Sequence, residues 1–518
     1  MSNEIKEFLG KLENWKENFE IKEYDTKNNS SDISQIITMQ REKDVDGLLA
    51  FWDKKLDKDY FELAHPEYSN ITTRATINYH DGIVNLVFMT DRKNLYPWIL
   101  CQRWNMIDVC VTQNFLYEFM NIECSFFDKL SEVSKLNIED VLYGDKNFRL
   151  IVSKTRPYHF FYDQLKYLYA INNKNIKKDT YFNNPFLQPI NFANYNRNKE
   201  KVFLFPSCIQ NNQLNQFNNT TVKELNEQME KYVYEDALKD FNPILYSSDS
   251  LKLWYGITGQ KRSWLEQIEG CEKIVLKLLE YYPKIEIFID GMTATEGKTL
   301  ENKDDQEVYD QISSRLKEKC TVISLIGKDY RHKIQVCSTT DIFIANAGTG
   351  CMVPLRFCKK AGVLHSNSNL ITFPDTYPDT IKFFDKDYEI DVIDSEKKDS
   401  QFRSYHIPWQ HIFNLTAEVL NQIKGTNIKS LDVPPVQELL SDEEIKEQKN
   451  ISFTNLESII KPAYKSPDIL REVALAFEKS DDITTAKTIM QKAHELRPNG
   501  PFIKQKLDEY KKILGEKK

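Results

Sequence analysis

The sequence predicts an α/β fold: two facing Rossmann-like domains, followed by a helical C-terminal appendage. Three observations predict it. From about residue 80 onward, short apolar runs rich in β-branched residues are separated by helical stretches. Between residues 251 and 364 the strand–helix alternation is strict, which argues for a parallel sheet covered on both faces. The tail carries only a helical period. With 41% hydrophobic and 28% charged residues, the chain of 518 has material for a sizeable core, so wholesale disorder is excluded.

In order, residues 1–79 read as a charged, mostly helical segment, and their start, MSNEIKEFLGKLENW, lacks the apolar stretch of a secretion signal. Residues 80–240 read as the first Rossmann-like domain. Its strands are expected at 83–89, 106–112, 148–153 and 201–207, with a helix at 114–127. After the third strand comes RPYHFFYDQLKYLYAI, an aromatic amphipathic helix opened by a proline in its first turn. An Asn/Gln-rich stretch at 210–221 reads as a linker before a helix at 221–239. Residues 241–425 form the second Rossmann-like domain. Strands are expected at 251–257, 285–289, 321–325, 342–345 and 361–364, with helices at 264–282, 304–319, 330–338 and 350–360. Residues 426–518 make a helical tail.

Lys and Arg number 69 against 77 Asp and Glu, a net charge of -8, so a basic coat for nucleic acid is not expected. No run approaches the ~20 apolar residues that span a bilayer. The nine cysteines show no metal-ligand spacing. Together these point to a cytoplasmic protein with reduced thiols, free or peripheral at the inner face of a membrane, with no metal and no cofactor. The GxGxxG fingerprint is missing, so NAD and FAD are not supported.

Four places could carry chemistry. In TDIFIANAGTGCMVPLRFCKKAG an apolar strand ends at Asn346, and the small-residue turn Gly348-Thr349-Gly350 leads into a helix. Helix-start amides and the helix dipole favour a phosphate there. The lysine of a Walker loop is missing, and a ligand-free tight turn is the alternative. In LKLWYGITGQKRSWLEQIEG, Gly259, Lys261 and Arg262 follow a strand, where ligands of open α/β sheets bind. A solvated basic turn is the alternative. In IFIDGMTATEG, Asp290 and Glu296 could accept sugar or ribose hydroxyls; an Asx-turn would also explain the acid. On the aromatic helix, His159 and Asp163 are four apart and share a face. That pair could act as a general base. A core or capping histidine is the alternative, and His65 is a weaker rival.

On these residues the chain resembles the GT-B fold of nucleotide-sugar glycosyltransferases. YHFFYDQL followed much later by ANAGTGCMVPLRF is similar to the family 61 type, which has an early aromatic/His helix and a late GAG-type turn. The block IANAGTG is also similar to heptosyltransferase donor sites. The resemblance covers about residues 80–380; the chain departs from it at Thr349 and lacks a counterpart of the catalytic acidic motif. It implies a metal-independent glycosyltransferase with a nucleotide-sugar donor in the second domain and a glycan or protein acceptor in the first. In the tail, Leu470, Val473, Ala474, Phe477, Ala486, Met490, Ala493 and Pro498 resemble a tetratricopeptide repeat, which implies an end cap or a docking site for a protein partner; an ordinary helical hairpin is the alternative. A non-catalytic scaffold built on degenerate Rossmann domains is the alternative function.

Overall fold

The computed structural model describes residues 3–27, 29–56, 58–103, 106–119, 129–144, 146–153, 156–172, 181–182, 185–187, 193–194, 201–206, 220–243, 249–259, 262–367, 373, 377–392, 403–434, 467–479, 482–498 and 500–515. Lys261, one of the expected site residues, lies outside them.

The first sheet has seven strands: β1 (Glu20–Glu23), β2 (Glu62–Ala64), β3 (Thr72–His80), β4 (Val84–Thr90), β5 (Trp98–Arg103), β6 (Met106–Val111) and β7 (Phe115–Glu118). Their order is β1-β7-β6-β5-β4-β3-β2. All neighbours from β2 to β7 pair antiparallel, and only β1 lies parallel to its partner β7. This corrects the reading of a Rossmann-like domain from residue 80: over 84–118 the strands form a meander. The helix expected at 114–127 is likewise corrected over its described part, where Phe115–Glu118 is a strand. The sheet is covered on both faces. Leu86 and Phe88 meet Ile5, Phe8 and Leu12 of the first helix, while Val87 and Met89 meet Ile33, Ile37 and Trp52 on the other side. Two-sided burial removes the alternation that marks an antiparallel strand.

A second, four-stranded sheet is parallel and holds β8 (Asn147–Val152), β9 (Tyr181–Phe182), β10 (Ala193–Asn194) and β11 (Lys201–Leu204), in the order β10-β9-β8-β11. After β8 the chain enters the aromatic helix at Pro157. This segment is α-helical at Pro157–His159, a π-helix at Phe160–Leu165 and α-helical again at Lys166–Asn172. The helix Thr220–Ala237 closes this half.

The third sheet is six-stranded: β12 (Leu251–Gly256), β13 (Ile285–Asp290), β14 (Thr321–Ser324), β15 (Ile342–Asn346), β16 (Ala361–His365) and β17 (Ile381–Phe383). Its first five strands each end within one residue of the expected limits, because doubly buried parallel strands read as unbroken apolar runs. All pairs are parallel, in the order β14-β13-β12-β15-β16-β17. This is the doubly wound order, and the direction of winding reverses between β12 and β15. Helices Gln267–Leu278, Lys303–Leu316, Tyr330–Ser338 and Trp409–Lys424 cover the sheet. The expected α-helix at 350–360 is a 3-10 turn, Thr349–Cys351, followed by a π-helix, Met352–Phe357. Pro354 lies inside it and has no N–H for an α-helical bond.

In the tail, helices Pro467–Lys479, Ile483–Leu496 and Pro501–Ile513 close on a small core of Leu470, Ala474, Ala486, Met490, Ala493, Leu507 and Tyr510. Among the described residues no helix is long and apolar enough to cross a membrane.

Candidate functional site

Where the winding reverses, the carboxyl ends of β12, β13 and β15 open on a cavity of about 640 Å³. Chains leaving adjacent strands in opposite directions cannot fill that edge, so a crevice forms there. Seven of the expected residues line it: Gly259, Arg262, Asp290, Asn346, Gly348, Thr349 and Gly350. Pro157 and Phe186 of the first half line it as well. Glu296, His159 and Asp163 do not belong to the lining.

The two turns that face the cavity are held from behind. Asn346 ends β15, and its Oδ1 accepts from the Gly348 amide at 2.8 Å. Its Nδ2 donates to the Arg262 carbonyl at 3.3 Å and to the Tyr405 hydroxyl at 2.8 Å. Tyr405 in turn lies 2.7 Å from His365 Nδ1. With His365 neutral, this contact is a hydrogen bond whose direction follows the ring's tautomer. Burial pushes the His365 imidazole down to about 3, which fits that state. One asparagine thus links the β15 turn to the β12 turn.

The β12 turn is also closed on itself. Thr258 Oγ1 donates to the Arg262 carbonyl at 3.2 Å, and Ser263 Oγ and Gln267 Nε2 both donate to the Thr258 carbonyl. The closure places Arg262 at φ 55°, a left-handed conformation that costs a non-glycine residue about 1 kcal/mol or more. The guanidinium is partly buried at the cavity wall. Burial, and then the nearby Arg156 charge, lower its proton affinity.

The acidic candidates are engaged with cations. Asp290 is buried and lies 2.6 Å from Nζ of Lys333, itself fully buried. Burial pushes the Asp290 carboxyl up, and Lys333 opposes the shift. The same ammonium donates to the carbonyls of Gly291 and Met292 and to Thr293 Oγ1, so it fixes the loop after β13. Glu296 pairs with Arg331 Nε at 2.7 Å, and Arg331 also binds Asp236 of the helix Thr220–Ala237. His159 Nδ1 lies 2.5 Å from Asp163 Oδ2, with Asp163 fully buried. The pair sits on the helix whose first residue, Pro157, touches the cavity.

Three positioning groups escaped the sequence reading. Asp305 accepts from the Gly259 amide and from the Met292 amide, tying the β12 and β13 loops together. In sequence it reads only as a first-turn acid of its helix. Glu230, fully buried, accepts from Tyr162 on one π-helix and from Arg356 and Lys359 at the other. Tyr405 stands far from any motif, and His365 falls just past the strand expected at 361–364. Among the described residues no cluster of His, Cys, Asp and Glu has the arrangement of a metal site.

No family model and no curated protein matches the chain. Among solved structures it is similar to the heptosyltransferase WaaC of E. coli with ADP-2-deoxy-2-fluoro heptose, at 10% identity and a TM-score of 0.22, over 32% of this chain and 49% of that one. It is also similar to a point mutant of TarM of S. aureus in complex with Fondaparinux, alpha-GlcNAc-glycerol and UDP, at 10% identity and a TM-score of 0.18, over 82% and 90% of the two chains. The chain therefore spans about half the length of the heptosyltransferase it matches. At TM-scores this low, neither neighbour defines what the chain does.

Proposed function

We propose that the chain is a glycosyltransferase that moves a sugar from a nucleotide-sugar donor to a glycan or protein acceptor, such as a surface polysaccharide, without a bound metal or cofactor. The observation that carries this reading is the cavity at the reversal of the third sheet, with Arg262 and the Gly348–Gly350 turn on one wall. A guanidinium and a turn of small residues suit the oxygens of a diphosphate. In a site with little water, such groups stabilise a leaving diphosphate by electrostatics alone. Lys261, beside Arg262, adds charge in this reading.

Asp290 and Glu296 act here through Lys333 and Arg331, shaping the loop after β13 instead of meeting the sugar. Asp163 fixes the ring of His159 at Nδ1, so Nε2 takes the acceptor proton. In this reading the donor sits on residues 241–425 and the acceptor on residues 80–240, whose antiparallel meander departs from the GT-B kind. Residues 1–79 then help build the first sheet through β1, β2 and β3, and the tetratricopeptide-like helices within 426–518 dock a protein partner. We place the enzyme in the cytoplasm or at the inner face of a membrane.

The occupied state of both acids favours a second reading, a scaffold that binds no nucleotide. Thermal melting of the full chain against nucleoside mono- and diphosphates and nucleotide sugars separates the two. The enzyme reading expects a shift with at least one nucleoside diphosphate and its sugar conjugate. No shift with any of them would leave the scaffold.

A further inference from the structure

We propose that the loop after β13 reads the base of the nucleotide, and that Lys298 on this loop selects a base with carbonyl oxygens on its rim, uracil or guanine, over adenine. The inference rests on the donor-site reading above and adds the substrate class to it.

Along the edge of the third sheet the strands come in the order β13, β12, β15. The cavity follows that order. Among the described residues its lining runs from Gly348–Gly350 across Gly259 and Arg262 to the loop after β13, and takes nothing from β16 or beyond. With the diphosphate on the β15 turn and Arg262, one end of the nucleotide sugar therefore lies against the β13 loop.

That loop is built before any ligand arrives. The Ala294 and Leu300 amides donate to the carbonyls of Lys328 and Gly327, and the Gly297 amide donates to Asp329 Oδ2 at 2.8 Å. The Glu296 amide donates to the Pro185 carbonyl of the first half at 2.9 Å. Gly297, at φ 70°, turns the chain just before Lys298.

Met292 and Leu300 of the loop are 40% and 46% exposed at the cavity, and Lys298 lines the same wall. Apolar surface beside a donor suits a flat base, whose faces are apolar and whose rim is polar. A sugar ring offers hydroxyls that call for carboxylate acceptors, and both acids of the lining are already engaged, Asp290 by Lys333 and Asp305 by the Gly259 and Met292 amides. Among the described residues none pairs with the Lys298 ammonium. An ammonium has three donors and no acceptor. It therefore meets the carbonyl oxygens of uracil, or O6 and N7 of guanine, and is opposed by the amino group of adenine.

The test is calorimetry on the full chain with UDP, GDP, ADP and inorganic pyrophosphate, using the wild type, Lys298→Met and Lys298→Arg, with melting curves of each ligand-free protein. The wild type should bind UDP or GDP at least about tenfold tighter than ADP. Lys298→Met should erase that preference, weakening the favoured nucleotide about tenfold while pyrophosphate changes by less than about threefold. Lys298→Arg, which keeps a donor-only cation, should retain part of it. The ligand-free proteins should melt alike, since the side chain is exposed. The inference is overturned if ADP binds as tightly as UDP and GDP. It is overturned also if Lys298→Met weakens UDP, ADP and pyrophosphate alike, which would make Lys298 a phosphate contact, or if it lowers the ligand-free melting temperature as a structural residue would. These results leave the donor site standing. A wild type that binds none of the nucleotides would sink the donor site as well.

Discussion

The carboxylate of Asp305 accepts the backbone amide of Gly259 at 2.8 Å, and its other oxygen accepts the Met292 amide at 2.6 Å. Two cavity loops from neighbouring strands are thus anchored to the first turn of one helix. The fit is tight: a Cβ at Gly259 would meet the backbone of Asp304 and Asp305 at 2.5–2.7 Å, and one at Gly291 would meet the Asp305 carboxylate at 2.6 Å.

Asp305→Ala leaves two amides without their acceptor, each worth about 1–3 kcal/mol when buried. Chemical denaturation should show a loss of about 2 kcal/mol or more, and nucleotide-induced thermal shifts should shrink with it. A variant of wild-type stability would show that water replaces the carboxylate.

Arg262 separates strain from binding. Glycine has no penalty at φ 55°, whereas alanine has. Arg262→Gly should be more stable than Arg262→Ala by about 1 kcal/mol in denaturant melts. Both should lose the affinity that one charge-assisted contact provides, about 1.5–3 kcal/mol. Equal stability of the two variants would argue against a strained turn.

If His159 is the general base, His159→Ala should lower turnover by about 10²–10⁴ with donor affinity retained. Asp163→Asn should lower it as well, since it leaves the ring without its carboxylate. A sharp fall in melting temperature with turnover intact would make the pair structural.

Two buried histidines give a pH signature. Burial pushes His65 down to about 4 and His365 to about 3, against 6.5 for an ordinary ring. Below pH 6.5 the unfolded chain takes up protons that the folded one refuses. Stability is therefore full above pH 6.5 and falls as the pH drops toward 4 and then 3. At pH 5 the loss is about 2 kcal/mol for each ring. Melting temperatures between pH 7.5 and pH 5 should show it, and His365→Gln should flatten the slope. A pH-independent melting temperature would contradict neutral burial of these rings.

The first five strands of the third sheet were legible because each is an apolar run followed by a turn residue, as at Asn346 and Gly259; β17, only Ile381–Phe383 with a lysine at its centre, was not. Nor was the first sheet. β4 is buried along its whole length, so nothing in its pattern distinguishes an antiparallel strand from a parallel one. Phe115–Glu118 is a strand because it pairs with Val109–Val111 on one side and with Glu20–Glu23 on the other. The second partner lies far away in sequence and leaves no local mark. The glycine turn and Arg262 announced themselves by residue type. Asp305, Glu230 and Tyr405 could not, since each matters only through a partner brought close by folding. Lys333 took Asp290 out of solvent for the same reason.

The central claim is that the Gly348–Gly350 turn receives the diphosphate of a nucleotide, and Gly350→Asp tests it most directly. A Cβ at Gly350 meets nothing within 4 Å, so the fold should tolerate the change. The new carboxylate would stand where the phosphate charge belongs. Calorimetry should find the ligand-free melting temperature of wild type together with affinity for the cognate nucleoside diphosphate lowered at least about tenfold. Unchanged affinity in a folded Gly350→Asp protein would contradict the account.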